Sequence, residues 1–412
     1  MKYGCIGEHL GHSFSKEIHN ALADYDYVIH EVAKGALESF AMERSFLGIN
    51  VTIPYKELIM PYLDEIDADA KKIGAVNTVV NRGGRLYGYN TDFYGMTMLT
   101  HHAKIDVLGK KVAILGGGGT SKTAHAVFSA LGAKEILRIS RSKSDTTLTY
   151  DELYEKHTDS EIIVNTTPVG MFPNCEASPI DISSFPNLCG VIDAIYNPLK
   201  TRLIQEAESR GIPASGGLYM LVAQAVRASE IFLEKSYPES TLDSIYEKIL
   251  SQKQNIVLIG MPASGKTTVG KILSDMLGRE LIDSDDVIRE NAKSEIPDIF
   301  ANHGEEHFRN LEAVAIADIS KKTQAVISTG GGAVLRCENV RRLKQNGKVY
   351  FLDRPKESLM PTSDRPTASS REMIEKRYSE RYGIYTKECD KRIDASLTPS
   401  EVARLIIEDF CK

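Results

Sequence analysis

No stretch of this 412-residue sequence is long and apolar enough to span a bilayer, and the opening Met1-Lys2-Tyr3-Gly4-Cys5-Ile6-Gly7 is too short an apolar run for a secretory leader. The six cysteines are scattered, with no C-x-x-C pair. That argues against a disulfide or zinc framework and reads as free thiols in a reducing cytoplasm. Positive charge is not in excess either. A net charge of −6 argues against a general nucleic-acid or membrane-surface binder. Low-complexity segments, internal repeats and long Gly/Ser- or Pro-rich tethers are also missing, so domains must follow one another closely. What remains is an ordinary globular composition, 42% hydrophobic and 26% charged, long enough for two or three domains.

The strongest motif lies past the middle. An apolar run, Asn255-Ile256-Val257-Leu258-Ile259, reads as a buried parallel strand. It leads into Gly260-Met261-Pro262-Ala263-Ser264-Gly265-Lys266-Thr267-Thr268 and then a helix with Val269, Ile272, Leu273 and Leu277 on one face. Strand, G-x-x-x-x-G-K-[ST] and helix make a P-loop. The backbone from Ala263 to Thr268 curls around phosphate oxygens, Lys266 reaches the outer phosphates, and the Thr267 hydroxyl suits Mg²⁺. About 150 residues follow, enough for one nucleotide-binding domain.

Residues 1–100 alternate strand-like and helix-like patches, an α/β pattern. Strands are expected over residues 3–6, 27–32, 49–53 and 78–81, and helices over residues 16–23, 37–46 and 55–63. Polar residues gather at element ends: Ser13 and Ser15, then Asn50, Thr52 and Lys56, then Asn77, then Asn90, Thr91 and Asp92. Ser15 and Asp92 read equally well as helix N-caps. Taken together, hydroxyls, amides, a lysine and an aspartate suit a pocket for a small polyhydroxylated acid, with a Lys–Asp pair for acid–base work.

These motifs resemble shikimate dehydrogenase: His12-Ser13-Phe14-Ser15-Lys16-Glu17-Ile18-His19-Asn20, Asn50-Val51-Thr52-Ile53-Pro54-Tyr55-Lys56, Gly74-Ala75-Val76-Asn77-Thr78 and Gly88-Tyr89-Asn90-Thr91-Asp92. The resemblance implies that Lys56 and Asp92 are the catalytic pair and that Ser13, Ser15, Thr52 and Asn77 hold the substrate. Lys16 stands where that family often has proline.

A cofactor segment follows. The strand Lys110-Lys111-Val112-Ala113-Ile114-Leu115 runs into Gly116-Gly117-Gly118-Gly119-Thr120-Ser121 and an Ala-rich helix, a dinucleotide-binding turn. At the end of the next strand, where an NAD fingerprint has an acidic residue, stand Ser140, Arg141, Ser142 and Lys143. Two cations at that place favour the 2′-phosphate of NADP; solvated surface cations are the alternative. By the same resemblance Thr166, Ile195 and Gly217 edge the nicotinamide, and Tyr196 and Gln224 reach the substrate. Gln224 also reads as a satisfied buried amide.

Behind the P-loop come Leu281-Ile282-Asp283-Ser284-Asp285-Asp286, Arg309, the turn Gly330-Gly331-Gly332, Arg365 and Arg381. Arginine forks bind carboxylates bidentately, and the acidic run reads as a metal or proton site or as a helix cap. From about residue 255 onward these motifs resemble shikimate kinase. That implies Asp285 as base, Arg309, Arg381, Gly331 and Gly332 as substrate holders, Asp283 on Mg²⁺ through water, and Arg365 as a lid arginine. Thr367 and Ala368 replace the family's usual leucines after Arg365 and Pro366.

The expected architecture is α/β throughout. It comprises a substrate domain over residues 1–100 completed by helices in 217–252, a Rossmann NADP domain over 101–216, and a three-layer α/β/α P-loop kinase domain over 253–412. The expected activity is bifunctional: NADPH-dependent reduction of 3-dehydroshikimate, then Mg²⁺- and ATP-dependent phosphorylation of shikimate. The protein is expected in the cytoplasm as a monomer or homodimer. A quinate dehydrogenase joined to another small-alcohol kinase is the rival enzyme. A metabolite sensor is the rival outside catalysis, although Lys56, Asp92, Lys266 and Asp285 are all retained.

Overall fold

A computed structural model describes residues 1–10, 14–359 and 370–411. Of the expected site residues, Ser13 and Arg365 lie outside them, as do Thr367 and Ala368. The chain divides into two compact units, Met1–Ile249 and Leu250–Lys412.

The first unit begins with β1 (Tyr3–Gly7), α1 (Ser15–Leu22), β2 (Tyr27–Glu31), α2 (Leu37–Glu43), β3 (Gly48–Val51) and α3 (Tyr55–Leu58). It continues with β4 (Glu65–Ile66), α4 (Ala68–Ile73), β5 (Thr78–Arg82), β6 (Arg85–Tyr89) and α5 (Thr91–His102). Among the described residues these strands form one mixed sheet in the order β2-β1-β3-β5-β6-β4. Two expected helices are shorter than their apolar patterns. α2 stops at Glu43 because Arg44 turns left-handed (φ 52°), which brings Phe46 back into the core. α3 is a single turn that gives way to a 3₁₀ turn, Met60–Tyr62, where Pro61 removes a backbone donor. The capping expectations for Ser15 and Asp92 fail. Phe14 and Asn90 occupy the N-cap positions, Ser15 opens α1, and Asp92 sits one residue inside α5.

The second sheet comprises β7 (Lys111–Leu115), β8 (Glu135–Ile139), β9 (Ile162–Asn165), β10 (Gly190–Asp193) and β11 (Ala214–Ser215), all parallel in the order β11-β10-β9-β7-β8. Its helices are α6 (Gly119–Ala130), α7 (Tyr150–Lys156) and α8 (Arg202–Ser209). This is a doubly wound order whose direction reverses between β7 and β9, where such sheets open a ligand crevice. The chain then returns to the first lobe. α9 (Leu218–Leu233) packs on α1 and α5. Its Ala228 and Phe232 cover the face of the first sheet that Cys5, Tyr27 and Val80 present. α10 (Ser240–Lys253) follows.

The second unit has strands β12 (Asn255–Ile259), β13 (Glu280–Asp283), β14 (Ala325–Ser328), β15 (Gly347–Asp353) and β16 (Lys391–Asp394). Its helices are α11 (Lys266–Leu277), α12 (Ser284–Ala292), α13 (Ile296–Ile319), α14 (Cys337–Asn346), α15 (Arg371–Glu388) and α16 (Pro399–Phe410). The sheet is parallel in the order β13-β14-β12-β15-β16. Alternate residues of the central strand serve opposite faces: Val257 and Ile259 pack with Ile316, Leu343 and Ile374, while Ile256 and Leu258 pack with Leu273, Val402 and Ile406. A strand buried on both faces reads as an unbroken apolar run, and this is the three-layer arrangement expected of it.

Candidate active sites

In the first unit, β3 ends before Pro54 and the chain turns into α3, which carries Lys56. The Lys56 Nζ donates to Asp92 Oδ2 at 2.6 Å, with only 15% and 8% of the two side chains exposed. Asp92 lies in the first turn of α5, where the helix dipole favours a carboxylate, and the Asn90 side chain caps that turn through the Phe93 N–H (3.1 Å). Asn77 links the neighbouring loop: its Oδ1 accepts from the Thr91 N–H at 2.7 Å and from the Thr78 and Thr91 hydroxyls at 3.2 Å. Behind it the Tyr27 hydroxyl donates to Asn50 Oδ1 (2.6 Å), and Asn50 Nδ2 donates to Thr78 (3.1 Å). Thr52 is half-buried at the strand exit, and Ser15 is buried at the start of α1.

The cofactor turn adjoins this pair. Gly116 has φ +125°, and a β-carbon there would meet Thr166 Oγ1 at 2.4 Å, so only glycine fits. The Thr166 hydroxyl donates to the Leu115 carbonyl (2.6 Å) and holds the two loops that flank the sheet's reversal point. α6 starts at Gly119 with no side-chain cap, which leaves its first N–H groups for an anion. A β-carbon at Gly119 would lie 3.9 Å from Lys56 Cδ, so the turn and the lysine share one cleft. Opposite, Tyr196 packs on Phe14 (5.2 Å between rings), and burial pushes its hydroxyl up to about 12. Gln224 is buried and donates to the Leu221 carbonyl of its own helix (2.8 Å), so at least that donor is spent locally.

Two residues here carry weight that sequence reasoning did not assign. Asp193 is fully buried and accepts from Asn165 Nδ2 (3.0 Å), the Ile195 N–H (3.0 Å) and the Thr201 hydroxyl (2.7 Å). It thereby ties the Thr166 loop to the Ile195–Tyr196 loop, and burial pushes its carboxyl up to about 7. Arg138 on β8 donates from Nε to Ser121 Oγ (3.2 Å) and from Nη2 to the Gly117 carbonyl (3.4 Å). Of the cations that were expected, Arg141 is exposed, and Lys143 is paired with Glu152.

In the second unit the P-loop follows the central strand. Ala263 and Gly265 both take positive φ (64° and 95°), which curls the loop. Lys266 Nζ folds back onto the Gly260 and Met261 carbonyls, each at 2.9 Å. Asp283 serves as the cap of α12 through the Asp285 N–H (3.0 Å), and its other oxygen accepts from Thr267 (2.9 Å) and Ser328 (3.0 Å). A hydroxyl and a carboxylate at one point are hard oxygen donors suited to Mg²⁺, with phosphates and water completing the shell. A β-carbon at Gly330 would come within 2.7 Å of Asp285 Oδ1 and 3.1 Å of Glu312 Oε1, so those two carboxylates flank the triple-glycine turn. Arg309 binds Glu312 (2.8 Å) and Glu305 (3.0 Å), and burial raises the Glu312 carboxyl above its usual range. Arg381 is almost fully buried. Its Nη1 donates to the Gly331 carbonyl (2.9 Å), while its Nε and Nη2, like Arg309 Nε, have no partner among the described residues. Burial, with Arg377 and Arg309 adding repulsion, depresses the Arg381 pKa. Buried, unpaired guanidinium donors of this kind call for an anion. A cleft of about 770 Å³ at the carboxyl ends of β15 and β16 is lined by Asp353, Pro355, Lys356, Tyr382, Asp394 and Ser396.

The comparisons decide the family. Residues 5–79 match the shikimate dehydrogenase substrate binding domain, and residues 262–411 match the shikimate kinase family. The shikimate dehydrogenase (NADP(+)) of Clostridium perfringens (strain SM101 / Type A) is 37% identical over 265 residues, which span 60% of this chain and 97% of that one. The chain belongs to the shikimate dehydrogenase family. Its carboxyl-terminal part carries a shikimate kinase domain. Among solved structures, shikimate dehydrogenase 1 of Peptoclostridium difficile is 40% identical with a TM-score of 0.57, covering 60% of this chain and 98% of that one. The shikimate 5-dehydrogenase of Thermus thermophilus, solved in complex with NADP(H) and shikimate, is 27% identical with a TM-score of 0.55, covering 60% and 99%. The resemblances read from the motifs and the α/β fold class are borne out.

On the dehydrogenase side the fold brings Lys56, Asp92 and Asn77 together beside the Gly116–Gly119 turn, with Thr52 at the exit of β3. On the kinase side it gathers Lys266, Thr267, Asp283 and Asp285 with Arg309, Arg381 and the Gly331 backbone. Glu312, which orients Arg309, was not singled out in advance; its signal was the three-residue spacing from Arg309 along one helix.

Proposed function

We propose that this chain carries out two consecutive steps, NADPH-dependent reduction of 3-dehydroshikimate to shikimate and ATP-dependent phosphorylation of shikimate to shikimate 3-phosphate. The proposal includes three domains: residues 1–100 with the helices of 217–252 for substrate, 101–216 for NADP(H), and 253–412 for the kinase. No described helix is long and apolar enough to cross a membrane, and we place the enzyme in the cytoplasm. The observation that carries the reading is the half-buried Lys56–Asp92 pair beside Gly119.

In the first step a reduced nicotinamide, when bound, would supply hydride for the ketone carbon. The Lys56 ammonium, oriented by Asp92, gives its proton to the ketone oxygen as the alcohol forms, so the carbonyl π bond is replaced by a C–H and an O–H bond. Asn77, Thr52, Ser13 and Ser15 orient the hydroxyls and carboxylate, with Tyr196 and Gln224 closing the pocket. The N-terminal turn of α6 takes the pyrophosphate. In the second step Arg309 and Arg381 fix the shikimate carboxylate, and Asp285 accepts the proton of the attacking hydroxyl as its oxygen bonds to the γ-phosphorus and ADP leaves. Thr267 and Asp283 would hold Mg²⁺, which offsets phosphate charge when bound. Lys266 exchanges its two carbonyl partners for phosphate oxygens, and the cleft at the ends of β15 and β16 takes the nucleoside end.

The test supplies the purified chain with 3-dehydroshikimate, NADPH, ATP and Mg²⁺ and follows NADPH loss and ADP release separately. Both signals are expected, the second depending on the first. NADPH loss without ADP release would confine the activity to the first half, and neither signal would leave a binding protein.

A further inference from the structure

The geometry points to Arg138 as the second cation, beside Arg141, that reads the 2′-phosphate of the cofactor, in the place expected for Lys143. The inference rests on the reading of the cofactor as NADP(H). In a doubly wound sheet the adenosine ribose lies between the turn after the first strand and the end of the second. Here those places are Gly117 and Ser140, and a β-carbon at Gly117 would lie 3.8 Å from Ser140 Cβ. A phosphate there needs cationic donors that are not already spent. Lys143 already has a carboxylate partner: its Nζ lies 2.5 Å from Glu152 Oε1. Glu152 also closes the capping box of α7, and the Lys143 bond holds its carboxyl below the usual range. Drawing Lys143 to a phosphate would leave that carboxylate unpaired close to a second anion.

Arg138 is placed differently. Strand alternation sets it on the face of β8 that leads to Ser140, just past the strand's end. Its fork bridges the glycine turn and the first turn of α6 through the Gly117 carbonyl and the Ser121 hydroxyl. Both partners are neutral. No carboxylate pairs with it among the described residues, and its remaining N–H groups take no partner there. Its charge is felt locally, since it joins burial in lowering the His125 pKa. A half-buried strand arginine without a counter-ion, fixed across the turn that meets the ribose, is a pre-ordered anion donor.

The test uses the full-length chain and two soluble probes, adenosine 2′,5′-bisphosphate and adenosine 5′-monophosphate, which differ only in the 2′-phosphate. Arg138→Gln keeps an amide able to hold the Gly117 carbonyl and removes the charge. Binding of the bisphosphate should weaken about tenfold or more, the magnitude of one lost charge-assisted hydrogen bond, while the monophosphate changes much less. Lys143→Gln should cost less than about threefold on the bisphosphate. The KM for NADPH should follow the same order. Equal weakening of both probes by Arg138→Gln would make Arg138 a brace of the turn only and overturn the inference, as would a larger loss from Lys143→Gln. Should Arg138→Gln fail to fold, Arg138→Met carries the test: weakening of the bisphosphate beyond that of the monophosphate supports the assignment, and an unchanged preference with intact folding refutes it. If the unaltered protein is indifferent to the 2′-phosphate, the NADP reading itself falls, a result distinct from failure of the Arg138 assignment.

Discussion

Replacing Arg381 by methionine should separate kinase function from kinase stability. Arg381 is among the largest fully buried side chains, yet its Nε and Nη2 have no partner among the described residues and its Nη1 bond goes to a carbonyl that Tyr385 also serves. In the free protein each unpaired buried donor costs about 1–3 kcal/mol, and a buried charge adds to that. A methionine of similar length removes both costs and leaves the Gly331 carbonyl with the Tyr385 hydroxyl. The kinase half should therefore be as stable as before or more stable. Shikimate binding should suffer, because two charge-assisted bonds to its carboxylate, each about 1.5–3 kcal/mol, are lost. Their sum corresponds to a rise in shikimate KM of roughly 10²–10⁴-fold. The KM for ATP should change little and the reductase rate not at all. The assay is ADP release at saturating ATP across a shikimate range, alongside thermal inactivation of the kinase. A shikimate KM within about threefold of normal, or a markedly less heat-stable kinase, would refute the idea that these donors are held unpaired for the substrate.

Three further outcomes follow from the same structure. Lys56→Ala should slow reduction about 10²–10⁴-fold, as expected for a lost proton donor, while phosphorylation of added shikimate stays normal; near-normal reduction would unseat the Lys56–Asp92 assignment. A mixture of Lys56→Ala and Lys266→Met proteins should convert 3-dehydroshikimate to shikimate 3-phosphate although neither does so alone, and failure of the mixture would mean that the product of one site cannot reach the other through solution. Asp193 supplies a pH test. Its carboxyl is raised from 3.8 to about 7 in the fold by burial, so the folded protein holds a proton that the unfolded chain releases. The stability from that proton is full below pH ~4 and is lost as pH rises through ~7, by a few kcal/mol at most. Asp193→Asn should remove this loss, so that the difference in inactivation temperature between variant and unaltered reductase widens in the variant's favour from about pH 5 to about pH 8. A constant difference would show that Asp193 is charged throughout.

The pattern along the chain was most legible where local periodicity and chemistry coincide. The run from Asn255 to Ile259 read as a strand covered on both faces, and the loop after it carried its own phosphate chemistry. Lys56 and Asp92 were legible only as parts of motifs. They are 36 positions apart, and no spacing rule brings them to 2.6 Å. The residues that escaped notice share a property. Arg138, Asp193 and Glu312 are charged groups inside regular elements, a place where a sequence suggests a solvated face, and only the packing of other elements reveals what they hold. Lys143 shows the converse: its partner Glu152 belongs to the cap of the next helix, a pairing that the run Ser140–Lys143 does not announce. The ends of α2 and α3 were misjudged for backbone reasons: a left-handed Arg44 and the imide nitrogen of Pro61 interrupt apolar patterns that otherwise continue.

The return of α9 to the first lobe has a bearing on how the protein is made. One face of the first sheet closes with residues close in sequence, Val32 and Leu37 among them, so that side can be buried early in translation. The other face, around Cys5, Tyr27 and Val80, waits for Ala228 and Phe232. Throughout the synthesis of the intervening cofactor lobe, the nascent chain therefore lacks the part of this cover that Ala228 and Phe232 supply, with His19 of α1 already stacked on Tyr27. A chain cut short between residues 103 and 217 would keep the ground that Ala228 and Phe232 cover exposed.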